Sequence, residues 1–318
     1  MSNRYVLILV LYTLASFGAT LAIIEGALWL LRNRALRLIS RLRPSDGVMT
    51  HVVLRFLPAV LALVLTALSA VPGYFGGEPV GTHELPGTGL IALALLGLYS
   101  IVVPLARVAW LTIRTRTTTN AWTRQAVGAE TVSNLRVIEL PLGNPLVVAA
   151  GVLRKRIFLS TAVRALLSAR ELRAVLRHEV AHCRQNHNLA KLFCKLAPRL
   201  MDSELMDDSL HETIEYAADD EACGVPGDAL NLASAVLVLA RQTAASPRAL
   251  FTALLDPRHS AMLERRVERM VLPRECLTGR MFSKLAGACA GIVAVTAAIA
   301  SMPAAQHAFR ETLELLVR

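Results

Sequence analysis

The sequence is short of charged and of aromatic residues. Asp, Glu, Lys and Arg together make up 18% of its 318 residues, and Phe, Trp and Tyr make up 5%, whereas hydrophobic residues reach 54%. Soluble globular domains are less apolar and carry more charge. The composition therefore argues against an ordinary soluble protein and favours a chain that contacts lipid.

Two further patterns are missing. The five cysteines are odd in number and include no Cys-x-x-Cys pair, which argues against a disulfide framework and indicates a reducing compartment. The formal net charge is +10, yet no basic run is interleaved with aromatic residues as a nucleic-acid-binding surface would require. We therefore expect no nucleic-acid partner and attribute the basic residues to membrane topology.

Four long apolar runs are present, and each can cross a bilayer. Arg residues follow the first and third runs and precede the fourth, whereas residues 73–89 contain neither Lys nor Arg. The positive-inside rule predicts an N-terminus outside the cell and a cytoplasmic segment between the third and fourth spans. The predicted spans are about 5–31, 54–74, 90–113 and 285–302, with a cytoplasmic domain over 114–284 and a short extracytoplasmic tail over 303–318.

Both the spans and an acid inside the first of them admit alternatives. Buried helices of a large soluble protein would also be apolar, but they would not explain the consistent charge asymmetry. Glu25 lies within the first span, where an acid often marks a functional site. The favoured interpretation is that Glu25 reaches the interface and pairs with a nearby Arg.

The cytoplasmic segment predicts a small sheet followed by helices. Residues 114–130 are polar and basic, which indicates a linker, and β-rich stretches follow at 135–140, 146–150 and 156–160. Ser168 and Glu171 have the spacing of a capping box, and apolar residues then recur with helical period. The expected fold class is α+β: a four-helix transmembrane region with a cytoplasmic domain that is mainly helical and has a small β-sheet.

The helix that begins at Ser168 carries a candidate zinc site. His178 and His182 are one turn apart, so both imidazoles project from one face and can bind one cation. Glu179 is placed to take a proton from a metal-bound water. A second predicted helix carries Glu215, which could complete a two-His, one-Glu site, and Asp219, which could accept the other ring N–H of a ligand His.

Two other histidines are alternative ligands. His187 lies five residues after His182, which on a continuous helix turns it about 140° off the ligand face, so a structural or surface role is favoured. His211 lies close to Glu215 in sequence and stays open as a ligand.

Residues 151–160, 171–177 and the segment His178-Glu179-Val180-Ala181-His182 resemble the M56 (BlaR1/MecR1-like) membrane metallopeptidases, and are also similar to the M48 (Ste24/HtpX-like) family. Three spans before the domain and one after it resemble the M56 layout. The resemblance implies a zincin-like (gluzincin) domain with zinc ligands His178, His182 and Glu215 and with Glu179 as the general base. It also implies an oxyanion-stabilising His or Arg, for which His259 is the loose match, a basic surface before the fourth span being the favoured alternative.

The resemblance predicts an integral-membrane zinc metalloendopeptidase of the bacterial inner membrane, active on protein or peptide substrates and possessing a sensor or regulatory partner in some relatives. Only 16 residues follow Met302, so a large extracellular sensor domain is missing and β-lactam sensing is not expected. The alternatives are a non-catalytic signalling or adaptor protein with a structural zinc site, and a protease that stays latent until self-cleavage or a partner activates it.

Overall fold

The structure, a computed structural model, describes residues 3–75, 87–201, 204–224, 227–245, 257–272 and 280–317. Helices dominate, and a single four-stranded sheet is present in the described part of the chain. The prediction of a mainly helical protein with a small sheet is therefore confirmed.

Four of the described helical segments are long and apolar enough to cross a membrane, as the four apolar runs predicted. They are longer than the predicted spans, because helix continues into the polar residues at their ends. The helices are α1 (Asn3–Ile39), α2 (Pro44–Leu65) with a π-helical turn (Thr66–Ala70) and α3 (Val71–Phe75), α4 (Thr88–Arg124), and, after the cytoplasmic segment, α11 (Arg280–Ala300).

Helices α1 and α4 cross in direct backbone contact at two glycines. A methyl group added to Gly18 would lie 2.7 Å from the backbone nitrogen of Gly97, and one added to Gly97 would lie still closer to the carbonyl oxygen of Leu14. Small residues at a crossing allow membrane helices to approach closely and gain dispersion contacts. The absence of side chains at this point therefore holds α1 against α4.

The predicted linker over 114–130 is wrong for most of its length. Helix α4 continues without a break to Arg124, because residues 105–127 contain neither Gly nor Pro to end it. Its last turn packs on the sheet: the Trp122 ring lies 5.2 Å from the Phe158 ring, and Arg156 donates a 3.0 Å hydrogen bond to Thr123. One helix thus joins the third span directly to the sheet.

The sheet has the order β1-β2-β4-β3. Its strands are β1 (Gly128–Val132), β2 (Leu135–Leu140), β3 (Val147–Ala150) and β4 (Arg156–Ser160). The last three match the predicted strands, whereas β1 falls in the predicted linker. It forms a hairpin with β2 through Ser133 and Asn134, both at positive φ, a conformation that two-residue hairpin turns require. Strand β3 is an edge strand, paired only with β4.

The domain core forms where the sheet meets the following helices. These are α5 (Thr161–Leu166), α6 (Ala169–Arg184), α7 (His187–Leu196), α8 (Glu204–Ala222), α9 (Asp228–Ala245) and α10 (Pro257–Val271). Ile157 and Leu159 from β4 pack with Val175 and Val180 from α6 and with Leu232 from α9. The sheet therefore supports α6 from its apolar face.

The domain docks on α1 and α2 through polar contacts as well as apolar ones. Glu25 of α1 accepts hydrogen bonds from the backbone amides of Leu200 and Met201, at 2.8 and 3.0 Å. Arg55 of α2 pairs with Asp207 at the start of α8. Glu25 thus serves a structural contact between the first span and the domain.

The predicted tail over 303–318 forms a further helix, α12 (Pro303–Val317). The helix folds back on the π-helical turn of the second span, where Gln306 donates a 3.1 Å hydrogen bond to the carbonyl of Leu68. Ser69 in the same turn donates to the carbonyl of Ala300 at 2.9 Å. Side chains thus satisfy polar groups in and beside the π turn, as a membrane environment requires.

The glycine contact predicts a position-specific effect on stability. We expect Gly18→Ala to lower the unfolding free energy of the detergent-solubilised protein by about 1–3 kcal/mol, because the new methyl forces α1 and α4 apart. Thermal or denaturant unfolding followed by circular dichroism measures the change.

Gly287→Ala is the matched control. Gly287 also lies in a membrane-length helix, but nothing lies within 4 Å of the position that its added methyl would occupy. Equal unfolding midpoints for the two variants would contradict the role assigned to the crossing.

Candidate metal centre

Helix α6 begins with the predicted capping box. Ser168 accepts a hydrogen bond from the backbone amide of Glu171 at 3.3 Å, and the Glu171 carboxylate accepts one from the amide of Ser168 at 2.8 Å. Both bonds satisfy amides that the helix itself leaves unpaired. The cap sets the start of the helix, and with it the face on which His178 and His182 lie.

Three ligand-type side chains converge in one place. The Nε2 atoms of His178 and His182 are 3.0 Å apart, and the carboxylate of Glu215 from α8 lies 3.4 Å from the first and 3.6 Å from the second. The three are the one such group of His, Cys, Asp or Glu ligand atoms among the described residues. Helices α6 and α8 thus bring together residues that are 33 positions apart in the sequence.

The donor set fits zinc. Two imidazole nitrogens and one carboxylate oxygen lie within 4.8 Å of one another, and ligands of a tetrahedral zinc with bonds of about 2.0–2.1 Å stand about 3.3 Å apart. Burial opposes a charge on His178, but the adjacent Asp219 and Glu215 carboxylates raise its pKa to about 9. A positive charge is therefore favoured at this point, as a bound cation would supply.

Asp219 lies behind His178, on the side away from Glu215. Its Oδ1 is 2.9 Å from His178 Nδ1, although the ring nitrogen is poorly aligned for a hydrogen bond. Arg266 of α10 binds both Asp219 oxygens, at 2.8 and 2.9 Å, and its third nitrogen lies 3.2 Å from Glu215. One guanidinium thus neutralises both acids, and together with His178 it holds the pKa of Glu215 well below its usual range against the effect of burial.

The segment around α10 was expected to be a basic surface or the source of His259. Arg266 is instead largely buried against the site, whereas the side chain of His259 lies outside the described part of the structure. No local pattern distinguishes Arg266 from Arg265, which pairs with Glu212 in a more exposed position. The acidic face of α8 was the available signal, because buried acids require a cation opposite them.

His187 is buried, contrary to a surface placement, and it lies beside His182. The two Nδ1 atoms are 2.9 Å apart, and His187 is 1% exposed. The helical-wheel argument failed because α6 ends at Arg184 and Asn186 turns the chain with φ +56°. Among the described residues, neither His187 nor His211 belongs to the group of three ligand atoms. Burial lowers the pKa of His187 to about 4, so its ring is neutral.

Glu179 lies between the histidines and the edge strand. Its carboxylate accepts a 2.5 Å hydrogen bond from the backbone amide of Ala149 in β3. The residue is 7% exposed, and burial raises its pKa. A carboxyl group with a raised pKa can both take up and return a proton near neutral pH.

The free edge of β3 faces this site. The amide of Ala149 contacts Glu179, and the Asn188 side chain donates to the carbonyls of Ala149 and Gly151 at 3.0 and 3.3 Å. These main-chain groups point away from β4, so they are the ones that an added strand would meet. The edge is thus covered by two polar side chains.

The buried charge cluster predicts a strong dependence on Arg266. We expect Arg266→Leu to destabilise the protein by about 3–5 kcal/mol, because the change leaves two buried carboxylates without their cation. Thermal unfolding in the presence of a metal chelator measures the effect without a contribution from metal binding.

Arg265→Leu, on the same helix, is the control. Its ion pair with Glu212 is half-exposed, so we expect a change within about 1 kcal/mol. Arg266→Leu with the stability of the control would show that the acids do not need Arg266.

Comparison with known proteins agrees with this geometry. Residues 148–247 match the family model of peptidase family M48. This range runs from β3 to the end of α9 and includes His178, Glu179, His182, Glu215 and Asp219. No curated protein and no solved structure matches the chain. The match supports the second of the two resemblances, to M48, and gives none to M56; with the four membrane-length helices it supports a membrane metallopeptidase.

Proposed function

We propose that the protein is an integral-membrane zinc metalloendopeptidase that hydrolyses peptide bonds of protein substrates. The observation that carries the proposal is the convergence of His178, His182 and Glu215, with Glu179 beside them, inside the range that matches a metallopeptidase family. In this proposal the first three hold zinc, Glu179 is the general base, and Asp219 orients His178.

Zinc at this position would supply a Lewis acid and a water that ionises near neutral pH. Glu179 would take the proton of the attacking water and later return it to the leaving amine. The raised pKa of Glu179 supports both steps, since the carboxyl can hold that proton between them. Asp219 and Arg266 would keep His178 and Glu215 in place throughout.

The substrate would add as an extended strand along the free edge of β3. Main-chain hydrogen bonds give affinity without much demand on sequence. Ala149 is shared between this edge and Glu179, so a segment paired with β3 would pass next to the general base. The substrate would first displace the Asn188 side chain from the carbonyls of Ala149 and Gly151.

A structural zinc site in a non-catalytic adaptor is the competing function. Such a site fills its fourth position with a protein side chain, for which His187, His211 and Cys183 were the candidates. Among the described residues only three ligand atoms converge, and His187 directs Nδ1 at His182 instead. The ligand count therefore favours catalysis. Regulated or signal-linked proteolysis, with a sensor partner or self-cleavage, is the setting that we propose for it.

The catalytic role of Glu179 can be tested separately from metal binding. We expect Glu179→Gln to retain zinc but to reduce proteolysis by a factor of about 10²–10⁴, because the amide cannot accept a proton. Comparative proteomics of cells expressing each form identifies the fragments that depend on Glu179, and mass spectrometry of the purified chain detects self-cleavage.

Glu264→Gln is the control, since Glu264 is an exposed carboxylate on α10. Fragments that persist unchanged in Glu179→Gln would rule out the proposed mechanism, and a wild-type protein purified without zinc would rule out the proposed cofactor.

We also propose that the domain over 114–284 is cytoplasmic, in the bacterial inner membrane, with both chain ends outside. In a cysteine-free variant of the protein, His83→Cys should react with a membrane-impermeant maleimide in intact cells. Leu153→Cys, in an 89% exposed position between β3 and β4, should react only after the membrane is opened. Labelling of Leu153→Cys in intact cells would reverse the assignment.

A further inference from the structure

The two histidines of the candidate metal centre are supported by different partners. His178 directs Nδ1 at the Asp219 carboxylate, whereas His182 directs Nδ1 at another imidazole, that of His187. Imidazole ligands usually hold their second nitrogen against a carboxylate, a carbonyl or water, which sets the tautomer. His187 takes that place for His182.

The direction of the hydrogen bonds follows from Gln185. Its side-chain nitrogen donates to the carbonyl of Ala217 at 3.2 Å and to the Glu221 carboxylate at 2.6 Å. The amide orientation is therefore determined, and Gln185 Oε1 faces His187 Nε2 at 3.1 Å as an acceptor. His187 must carry its proton on Nε2.

A neutral His187 with its proton on Nε2 has a lone pair on Nδ1. That lone pair accepts the Nδ1 proton of His182, which leaves the Nε2 lone pair of His182 directed at His178 Nε2 and Glu215. Each proton position in the series Gln185, His187, His182 is thus determined by the one before it.

We propose that His187 is a positioning residue that holds His182 in its metal-binding tautomer, with Gln185 and Glu221 holding His187 in turn. The proposal rests on the proposed zinc site but not on proteolysis. It also excludes His187 as a fourth ligand, because both of its ring nitrogens are already engaged within the protein.

The local backbone is built to place this ring. Asn186 has a left-handed conformation with φ +56°, and its side chain accepts a 2.7 Å hydrogen bond from Lys155, which also binds the carbonyl of Cys183 at 2.6 Å. The turn ends α6 and starts α7 at His187 itself. The chain therefore reverses within two residues of Arg184, which returns His187 to His182.

The test is the zinc dissociation constant of the full-length protein in detergent, measured by chelator competition, with every variant in the Glu179→Gln background to prevent self-cleavage. His187→Leu keeps the branching of the side chain but removes the acceptor. His187→Asn restores an acceptor close to the position of Nδ1. We expect the Leu variant to bind zinc about 10–100-fold more weakly and the Asn variant to bind almost as tightly as its parent.

Cys194→Ala is the packing control, because Cys194 is a buried residue of α7 that lies outside the site. Gln185→Leu, on the half-buried turn, gives a second measurement if His187→Leu does not fold, and it should weaken zinc in the same direction. X-ray absorption of the zinc-loaded Leu variant should retain two imidazole ligands.

Three results would overturn the proposal: unchanged zinc affinity in His187→Leu or in Gln185→Leu, equal weakening in the Leu and Asn variants, or loss of an imidazole ligand from the zinc in the Leu variant. A parent that binds no zinc would instead overturn the proposed zinc site. A parent that binds zinc but shows no cleavage in its Glu179-containing form would remove proteolysis and leave the role of His187 standing.

Discussion

The arrangement of the domain depends on the neutralisation of two buried acids. Glu215 and Asp219 lie on one face of α8, and in a low-dielectric interior neither can stay ionised without a nearby cation. Arg266 supplies that cation from α10, and His178 faces both acids from α6. A single electrostatic requirement thus brings three helices together, and the metal-ligand geometry exists only where they meet.

The partly buried contacts between spans and domain follow the same principle with less burial. Arg55 in the second span meets Asp207 at the start of α8, and Glu25 in the first span meets two free amides that precede it. Polar groups near the bilayer are costly unless paired. Pairing them across the junction lets the ends of the spans and the helices of the domain satisfy one another, so α8 is held at one end by membrane helices and at the other by Arg266.

Local patterns predicted what depends on neighbours in sequence. The capped start of α6, the one-turn spacing of His178 and His182 and three of the four strands were all available in this way. The errors came from features decided elsewhere. The polar end of α4 is helical because it packs on the sheet, and β1 turns at Ser133 and Asn134 without a glycine to mark it. The partners of the site histidines depend on a tight turn and on a distant helix, which periodicity does not report.

The continuity of α4 sets the mechanical character of the molecule. A flexible linker would let the domain swing through a wide volume, but a 37-residue helix spans about 55 Å as a stiff rod. Trp122 and Arg156 fasten its far end to the sheet, and Gly18 fastens its membrane end to α1. The β3 edge therefore keeps a constant height and tilt relative to the third span, so a polypeptide must come to the edge and not the reverse.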